Sequence, residues 1–383
     1  MDNILFLGDR LQEAREYRNY TLTELAEKIN VTKQALLQYE RGMKPRDEKI
    51  KLLVDVLNFP EEFFIQKNDD VKINNTFFRA LSTTKRIDLR TQEVKTKNIL
   101  RFYSFLQEYF DYPEFDIPII DYSEGMNIED ISIQVRKHFG LGNEPIENVV
   151  SLLEKHGVVI STLDIGNKKI DAFTQVHNIN GINQYCIVLS NDKQSRVRRN
   201  FDIAHELGHI VLHSNIENLT ELSDMELKNI EDQANNFAAA FLLPKESFKK
   251  CLINPSNLEL YKELKRKWKV SIAAMIMRAM QLNLIDRNEY QNLMKYMTYK
   301  KWRSREPFDN EWPLQEVYLF RKSIDILINN VFLTAQNLIK AFNDAGLFFY
   351  GKDIEELLDL EKGTLTNNII KFKLRDNNSR FST

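Results

Sequence analysis

The most constraining feature of this 383-residue chain is residues 201–213, which read FDIAHELGHIVLH. Two histidines, His205 and His209, lie four positions apart with Glu206 beside the first. On a helix, residues four apart share one face, so both imidazoles can bind a single ion. Glu206 then lies on an adjoining face, where its carboxylate can accept a proton from water at that ion. The segment predicts a buried helix with a metal-dependent hydrolytic centre, and zinc is the expected ion.

A third ligand is expected from a second helix further along the chain. Residues 231–243 are rich in small and apolar side chains and stop at Pro244, which breaks a helix. We predict that Glu231 opens this helix and that its carboxylate completes the two-histidine set. Asp232 is the alternative ligand. Two histidines on an apolar helix can also be plain core residues, but a buried glutamate between them is costly unless it has a partner.

Three other side chains are weaker candidates for the site. His213 is rotated by roughly 80° from His205 on an unbroken helix, and no glycine turn separates it from His209. We therefore expect it behind the ligands or at the helix end. Cys186 lacks a second nearby cysteine and is expected in the core. His177 lies next to a turn, where an exposed position is expected more than a role as oxyanion donor.

Residues 199–213, together with a downstream pattern of small residues and the sequence LLP, resemble the ImmA/IrrE family of zinc metallopeptidases. The downstream pattern consists of Glu231, Ala234, Asn235, Phe237, Ala238, Ala239 and residues 242–244. The resemblance implies that His205, His209 and Glu231 bind Zn2+ and that Glu206 is the general base. The same ligand types also accept Mn2+ or Fe2+. Members of this family are associated with cleaving or inactivating repressors, so a repressor is the implied substrate.

The composition limits the class of protein. A hydrophobic content of 43% and a charged content of 28% are typical of soluble globular proteins, and the length favours two or three domains. No apolar run approaches the roughly 20 residues of a membrane span, and the N-terminus lacks the basic region of a signal peptide. Two cysteines, Cys186 and Cys251, argue against a disulfide framework. We expect a cytoplasmic protein without a membrane partner.

Near the N-terminus, the sequence predicts a pair of short helices. Residues 21–24 form a capping box, with Thr21 at the N-cap and Glu24 three positions later. Thr32 opens the following helix, and Gly42 ends it. The spacing is that of a helix-turn-helix.

This pattern, including QALLQYERG at residues 34–42, resembles the XRE (Cro/repressor-like) DNA-binding family. The resemblance implies that the second helix enters the major groove, where Gln34 and Gln38 bind base edges. Four further residues are expected to reach bases or phosphates: Thr32, Lys33, Arg41 and Lys44. Residues 1–65 hold ten Lys and Arg against twelve Asp and Glu, so DNA binding must depend on a local basic cluster. A small helical domain used only for protein contacts is the alternative.

The remaining pattern predicts a mainly α, α+β chain. Residues 158–163 are a predicted strand, and Asn180-Gly181 marks a hairpin that leads towards the histidine helix. We expect a small antiparallel sheet of zincin-like type, with residues 185–189 as an edge strand that could bind an extended peptide. The predicted divisions are a helix-turn-helix domain (1–65), a linker (66–93), a peptidase domain (94–305) and a helical C-terminal region with a disordered tail (306–383).

These patterns together predict a DNA-binding regulatory zinc metalloendopeptidase. Its expected partners are DNA, through the N-terminal domain, and a protein substrate that is a transcriptional repressor. The alternative is a transcriptional regulator or antitoxin-like binding protein whose metal centre is structural or sensory.

Overall fold

The computed structural model describes residues 6–65, 72–78, 86–123, 125–166, 171–179, 181–191, 195–216 and 221–366, with only the backbone at 72–78 and 179. The predicted disordered tail lies outside these residues. The described part is mainly helical around one four-stranded sheet. No helix within it is both long and apolar enough to cross a bilayer.

Within residues 6–65, four α-helices and a 3-10 helix (Glu61–Phe64) form the N-terminal unit: α1 (Gly8–Tyr17), α2 (Leu22–Lys28), α3 (Lys33–Glu40) and α4 (Asp47–Leu57). The predicted capping box at Thr21 and Glu24 is present at the start of α2. Thr32 caps α3 by accepting a hydrogen bond from the backbone N–H of Ala35. Gly42, with φ of 99°, allows the chain to turn away after α3. Helices α2 and α3 are the predicted helix-turn-helix pair.

The sheet consists of β1 (Lys72–Phe78), β2 (Val159–Leu163), β3 (Ala172–Ile179) and β4 (Ile182–Ser190), in the spatial order β1-β3-β4-β2. Strands β3 and β4 form the predicted hairpin. The sheet is mixed, because β2 pairs in parallel with β4. The expectation of a purely antiparallel sheet was therefore wrong for β2. The expectation of an edge strand at 185–189 was also wrong, because β4 is paired on both sides, with β3 and β2.

In the described residues between β1 and the C-terminal region, the helices are α5 (Arg86–Leu106), α6 (Ile128–His138), α7 (Val149–Lys155), α8 (Arg196–His213), α9 (Asp224–Leu242), α10 (Lys245–Cys251), α11 (Leu258–Trp268), α12 (Ile272–Gln281) and α13 (Arg287–Tyr299). The C-terminal region adds α14 (Leu319–Ile326), a π-helical stretch (Leu327–Phe332), α15 (Ala335–Asp344) and α16 (Gly351–Leu357). The segment predicted as a linker, 66–93, thus contains β1 and the start of α5.

The two faces of the sheet pack into different hydrophobic cores. Ile160 and Ile187 contribute to one core together with α6 to α13. Val159 and Val188 contribute to the other, together with the N-terminal unit, α5 and the C-terminal helices. Strand residues alternate between faces, so neighbouring positions of one strand serve different cores. The helix-turn-helix unit therefore shares a core with the sheet that supports α8.

Phe349, between α15 and α16, connects the C-terminal region with the N-terminal unit and α5. Its ring contacts those of Tyr17, Phe59, Phe63 and Phe102, with centroids 5.3 to 5.8 Å apart. These four partners come from the N-terminal unit and α5. Because aromatic contacts of this kind bury large apolar areas, the C-terminal region holds the N-terminal unit against the rest of the chain.

Candidate metal centre

Helix α8 carries the two motif histidines within a fully buried stretch. All residues from Ile203 to His213 are buried, as the apolar pattern predicts. A Cβ added to Gly208 would lie only 3.1 Å from the Cα of Ala234 on α9. The glycine inside the motif therefore lets α8 and α9 approach closely, so that side chains from both helices can share one site.

Helix α9 begins at Asp224, seven residues before Glu231. Ser223 and Glu226 form a capping box at its start. The expectation that Glu231 opens the helix was wrong, because this capping box starts it earlier. Glu231 consequently lies within the helix, where hydrogen-bonded turns on both sides fix the direction of its side chain.

Three possible ligand residues meet between α8 and α9. The Nε2 atoms of His205 and His209 are 3.0 Å apart, and they lie 3.3 and 3.5 Å from the two carboxylate oxygens of Glu231. One atom from each residue lies within 4.8 Å of the others. Tetrahedral zinc with ligands at about 2.0 to 2.1 Å requires ligand atoms roughly 3.3 Å apart. The observed separations fit that ion.

The opposite side of each imidazole is held by a hydrogen-bond partner. His205 Nδ1 lies 3.0 Å from Oδ1 of Asn235, one turn after Glu231 on α9. His209 Nδ1 lies 3.1 Å from His213 Nδ1, and His213 Nε2 lies 2.8 Å from Gln233 Oε1. An amide oxygen only accepts, so His213 Nε2 carries a proton and its Nδ1 accepts from His209. Both ligand candidates therefore direct an unprotonated Nε2 towards the shared site.

The charge state of the cluster suits a divalent cation. Burial lowers the pKa of His209 to about 3 and that of His213 to about 4, so both imidazoles are neutral near neutral pH. Burial alone would raise the pKa of the Glu231 carboxyl, but the interactions with the neighbouring imidazoles of His205 and His209 outweigh it and hold the pKa below its ordinary value. Neutral imidazoles and an ionised carboxylate are the forms that bind metal ions.

Glu206 lies beside the cluster and is 1% exposed. Its Oε2 accepts a hydrogen bond of 2.7 Å from the hydroxyl of Thr174, which lies on β3. This contact links the sheet to α8 and orients the carboxylate. A buried carboxylate next to a possible ion, with one oxygen fixed in place, is positioned to accept and return a proton.

The other candidates lie outside the cluster. Asp232 is exposed on α9 and is not among the residues that meet at the site. Cys186 is buried in the core on the α5 side of the sheet, and burial raises the pKa of its thiol. His177 was expected to be exposed, which was wrong: it is fully buried and its Nε2 lies 2.9 Å from Gln175 Oε1. His213 lies behind His209, as expected.

Side chains that the motif did not assign complete the arrangement. Asn235 and Gln233 are spaced along α9 with Glu231, so a helical projection could have placed Asn235 near the site. Thr174 precedes Glu206 by 32 residues and carries no comparable signal in the sequence. Only the packing of β3 against α8 brings it to Glu206.

The residues predicted to bind DNA share an exposed surface around α3. Those exposed are Thr32, Lys33, Gln34, Gln38, Arg41 and Lys44. On the buried side, Arg15 of α1 forms a 2.6 Å ion pair with Glu40 at the end of α3. This pair fixes α3 against α1, so its exposed face is presented on a rigid support.

Comparison with known proteins identifies both parts of the chain. Residues 153–280 match the peptidase model described as the IrrE N-terminal-like domain, and residues 11–64 match the model described as helix-turn-helix. The chain is also similar to the HTH-type transcriptional regulator ImmR of Bacillus subtilis (strain 168), with 33% identity over 97 residues. That similarity covers 25% of this chain and 73% of ImmR.

The fold and the site together define the class of protein. It is a DNA-binding helix-turn-helix protein that also contains a metallopeptidase-like domain. The chain belongs to the family of XRE-like helix-turn-helix regulators, and its central part is an IrrE/ImmA-like peptidase domain.

Proposed function

We propose that this protein is a DNA-binding zinc metalloendopeptidase of the cytoplasm that cleaves, and so inactivates, a transcriptional repressor. The observation that carries the proposal is the meeting of His205, His209 and Glu231 beside a buried Glu206. Helical packing alone does not require two imidazoles and a carboxylate to converge at zinc-ligand spacing. The match to an IrrE N-terminal-like domain, which is described by a peptidase model, also supports a metallopeptidase function.

The ligand residues would be His205, His209 and Glu231. When bound, zinc supplies Lewis acidity that polarises a peptide carbonyl and acidifies water. Asn235 and His213 keep the two imidazoles in the tautomer that presents Nε2.

Glu206 performs the proton transfers in this mechanism. Its carboxylate accepts the proton that water loses on attacking the peptide carbonyl, and delivers a proton to the amine that leaves. Thr174 holds one carboxylate oxygen in place while this occurs. Burial excludes bulk water from competing at the carboxylate.

The N-terminal unit is rigidly attached to the rest of the chain. DNA binding therefore contributes to the choice of substrate. The unit shares a core with α5, the sheet and the C-terminal helices. A protein bound to DNA through α3 would hold its metal centre at a fixed distance from the operator. Proteins that occupy the same stretch of DNA, such as a repressor, would then be presented at high local concentration.

The test is incubation of purified protein with the repressor encoded nearest to it, followed by mass spectrometry of the products. Glu206→Gln is expected to retain zinc and lose cleavage, whereas Glu231→Gln loses both. Asp232→Asn is the matched control, because Asp232 is the exposed neighbour of Glu231, and it should cleave normally. Cleavage that survives Glu206→Gln would rule out the proposed mechanism.

A second candidate function is direct transcriptional regulation with a structural or sensory metal centre, including an antitoxin-like role. The similarity to ImmR, named as a transcriptional regulator, favours it. A reporter gene under the cognate operator separates the two functions. Regulation that is unchanged in Glu206→Gln supports this second candidate, and regulation that is lost with cleavage supports the peptidase.

A further inference from the structure

A second group of metal-binding residues lies outside the centre described above. His138 is the last residue of α6, His156 follows α7, and Asp116 lies in the segment before α6. His138 Nε2 is 3.0 Å from Asp116 Oδ1, and His156 Nδ1 is 3.5 Å from Asp116 Oδ2. One ligand atom from each residue lies within 4.8 Å of the others. Three separate segments of the chain thus contribute to one point on the surface.

A backbone contact holds Asp116 against His156. The N–H of Asp116 donates to the carbonyl of His156 at 3.1 Å. The His156 ring packs on that of Phe139, with centroids 4.4 Å apart. Gly157 has φ of 77°, and a Cβ there would lie 2.4 Å from the Glu114 carbonyl. Glycine therefore allows the segment with Asp116 to run directly against the end of α7.

We propose that Asp116, His138 and His156 form a second binding site, for a divalent transition-metal ion such as zinc. Imidazole and carboxylate are ligands that zinc, nickel and copper accept, whereas magnesium and calcium prefer oxygen ligands alone. The separations of 3.0 and 3.5 Å between the histidine nitrogens and the Asp116 oxygens bracket the roughly 3.3 Å expected between ligand atoms on tetrahedral zinc.

Exposure distinguishes this second site from the buried centre on α8. The side chains of Asp116 and His138 are 63% and 36% exposed. Water can therefore fill the remaining coordination positions, and the ion can exchange with solution. The site suits an ion that binds and leaves as its concentration changes, since free access of water weakens its retention.

A simple ion pair accounts less well for this arrangement. Exposed histidine–aspartate pairs contribute little stability, and one carboxylate needs only one protonated imidazole. The chain has six histidines: three lie on α8 and one, His177, is buried on β3. The remaining two, His138 and His156, both direct a nitrogen at Asp116. Two imidazoles and the carboxylate that they share supply the three ligands of a common ion.

The segment with Asp116 also contacts α8 and β4, the helix and strand next to the buried centre. The N–H of Ile120 donates to the carbonyl of Val211 on α8 at 2.8 Å. The ring of Phe115 stacks on that of Tyr185 on β4, with centroids 4.2 Å apart. An ion at Asp116 would join this segment to the ends of α6 and α7, and so stabilise the fold around α8. Binding to the folded state alone raises stability by mass action.

The test measures zinc stoichiometry in tag-free, full-length protein that has been stripped with a chelator and dialysed against micromolar Zn2+. The wild type should bind two ions per chain by mass spectrometry of metal content. His138→Ala/His156→Ala should halve this content, and so should Asp116→Asn. The zinc-induced rise in the thermal midpoint should be smaller in both variants.

Asp121→Asn is the matched control, because Asp121 is an exposed acid in the same segment, and it should keep both ions. A metal content that is the same in the wild type and in His138→Ala/His156→Ala would overturn the proposal. The inference does not depend on the peptidase. A chain that binds a single ion, lost in His138→Ala/His156→Ala but kept in His205→Ala/His209→Ala, would support the surface site and contradict the zinc centre on α8.

Discussion

The guanidinium of Arg18 donates two hydrogen bonds to the carboxylate of Asp353, at 2.6 and 2.9 Å, across 335 positions of sequence. Arg18 follows α1, and Asp353 lies on α16. The same guanidinium donates to the carbonyls of Leu57 and Asn58 at the end of α4. One side chain thus connects the helix-turn-helix unit with the C-terminal region.

Removing Asp353 should destabilise the whole protein. Asp353→Ala leaves Arg18 partly buried without its carboxylate, and we expect a loss of about 2 to 4 kcal/mol in the free energy of unfolding. Urea denaturation measures it. The control is Lys352→Ala, whose exposed partner Glu356 lies 3.9 Å away, and it should change stability by less than about 0.5 kcal/mol. Equal effects of the two substitutions would contradict a structural role for the Arg18–Asp353 pair.

Local signals in the sequence were sufficient to predict the histidine helix and the helix-turn-helix. Contacts between residues far apart in the sequence could not be predicted from such signals. His205 and His209 lie one helical turn apart, so their proximity follows from helix geometry alone. The Ser223 capping box is an equally local signal. It marks the true start of α9, which we had expected at Glu231. By contrast, the position of β2 beside β4 in the sheet depends on the path of the whole chain between these strands, for which the sequence contains no local signal. The contacts of Thr174 with Glu206 and of Arg18 with Asp353 likewise exist only in the folded chain.

Asn235 should tune the affinity for zinc without binding it. Asn235→Ala removes the acceptor for His205 Nδ1–H and frees that ring to reorient. Loss of such a partner lowers metal affinity by about 10- to 100-fold. Competition with a chromophoric chelator measures the change. Asn236→Ala is the control, because Asn236 is the exposed next residue of α9 and bonds to Gln281 instead. An unchanged affinity in Asn235→Ala would contradict this role.

Thr174 should affect the rate of cleavage more than the binding of metal. Thr174→Val keeps the shape of the side chain but removes the hydrogen bond to Glu206. A misplaced general base is expected to lower kcat by about 10- to 100-fold, with the zinc content unchanged. Thr174→Ser restores a hydroxyl and should recover most of the rate. A loss of zinc in Thr174→Val would indicate a structural effect instead.

Substitution of Gln34 and Gln38 should separate base recognition from general attraction to DNA. Gln34→Ala/Gln38→Ala is expected to weaken operator binding by about 1 to 3 kcal/mol per lost bidentate contact, with little change for unrelated DNA. Lys44→Ala should weaken both and lower the salt dependence by about one phosphate contact. Titration of labelled duplexes at several salt concentrations measures these effects. Lys250→Ala, at an exposed site on α10, should behave as the wild type.

Glu154 should make the stability depend on pH. Its carboxylate lies on α7 and accepts a hydrogen bond from the N–H of Leu319 at 3.3 Å. Burial raises its pKa from 4.5 to about 7, although backbone N–H groups of Leu319 and Tyr318 and the charge of Lys322 oppose the shift. The folded chain therefore binds more protons than the unfolded chain between these two values. Its stability should fall as the pH rises through this window, and then level off.

Glu154→Gln isolates this contribution, because its amide oxygen can still accept from Leu319 but does not titrate. The variant should exceed the wild type in unfolding free energy by up to about 3 kcal/mol at about pH 8, since one pKa unit corresponds to about 1.4 kcal/mol. At about pH 4 the difference should disappear, because the wild-type carboxyl is then protonated in both states. Urea denaturation at both pH values measures this, with the exposed Glu144→Gln as control. A pH-independent difference would mean that packing, and not the buried charge, separates the two proteins.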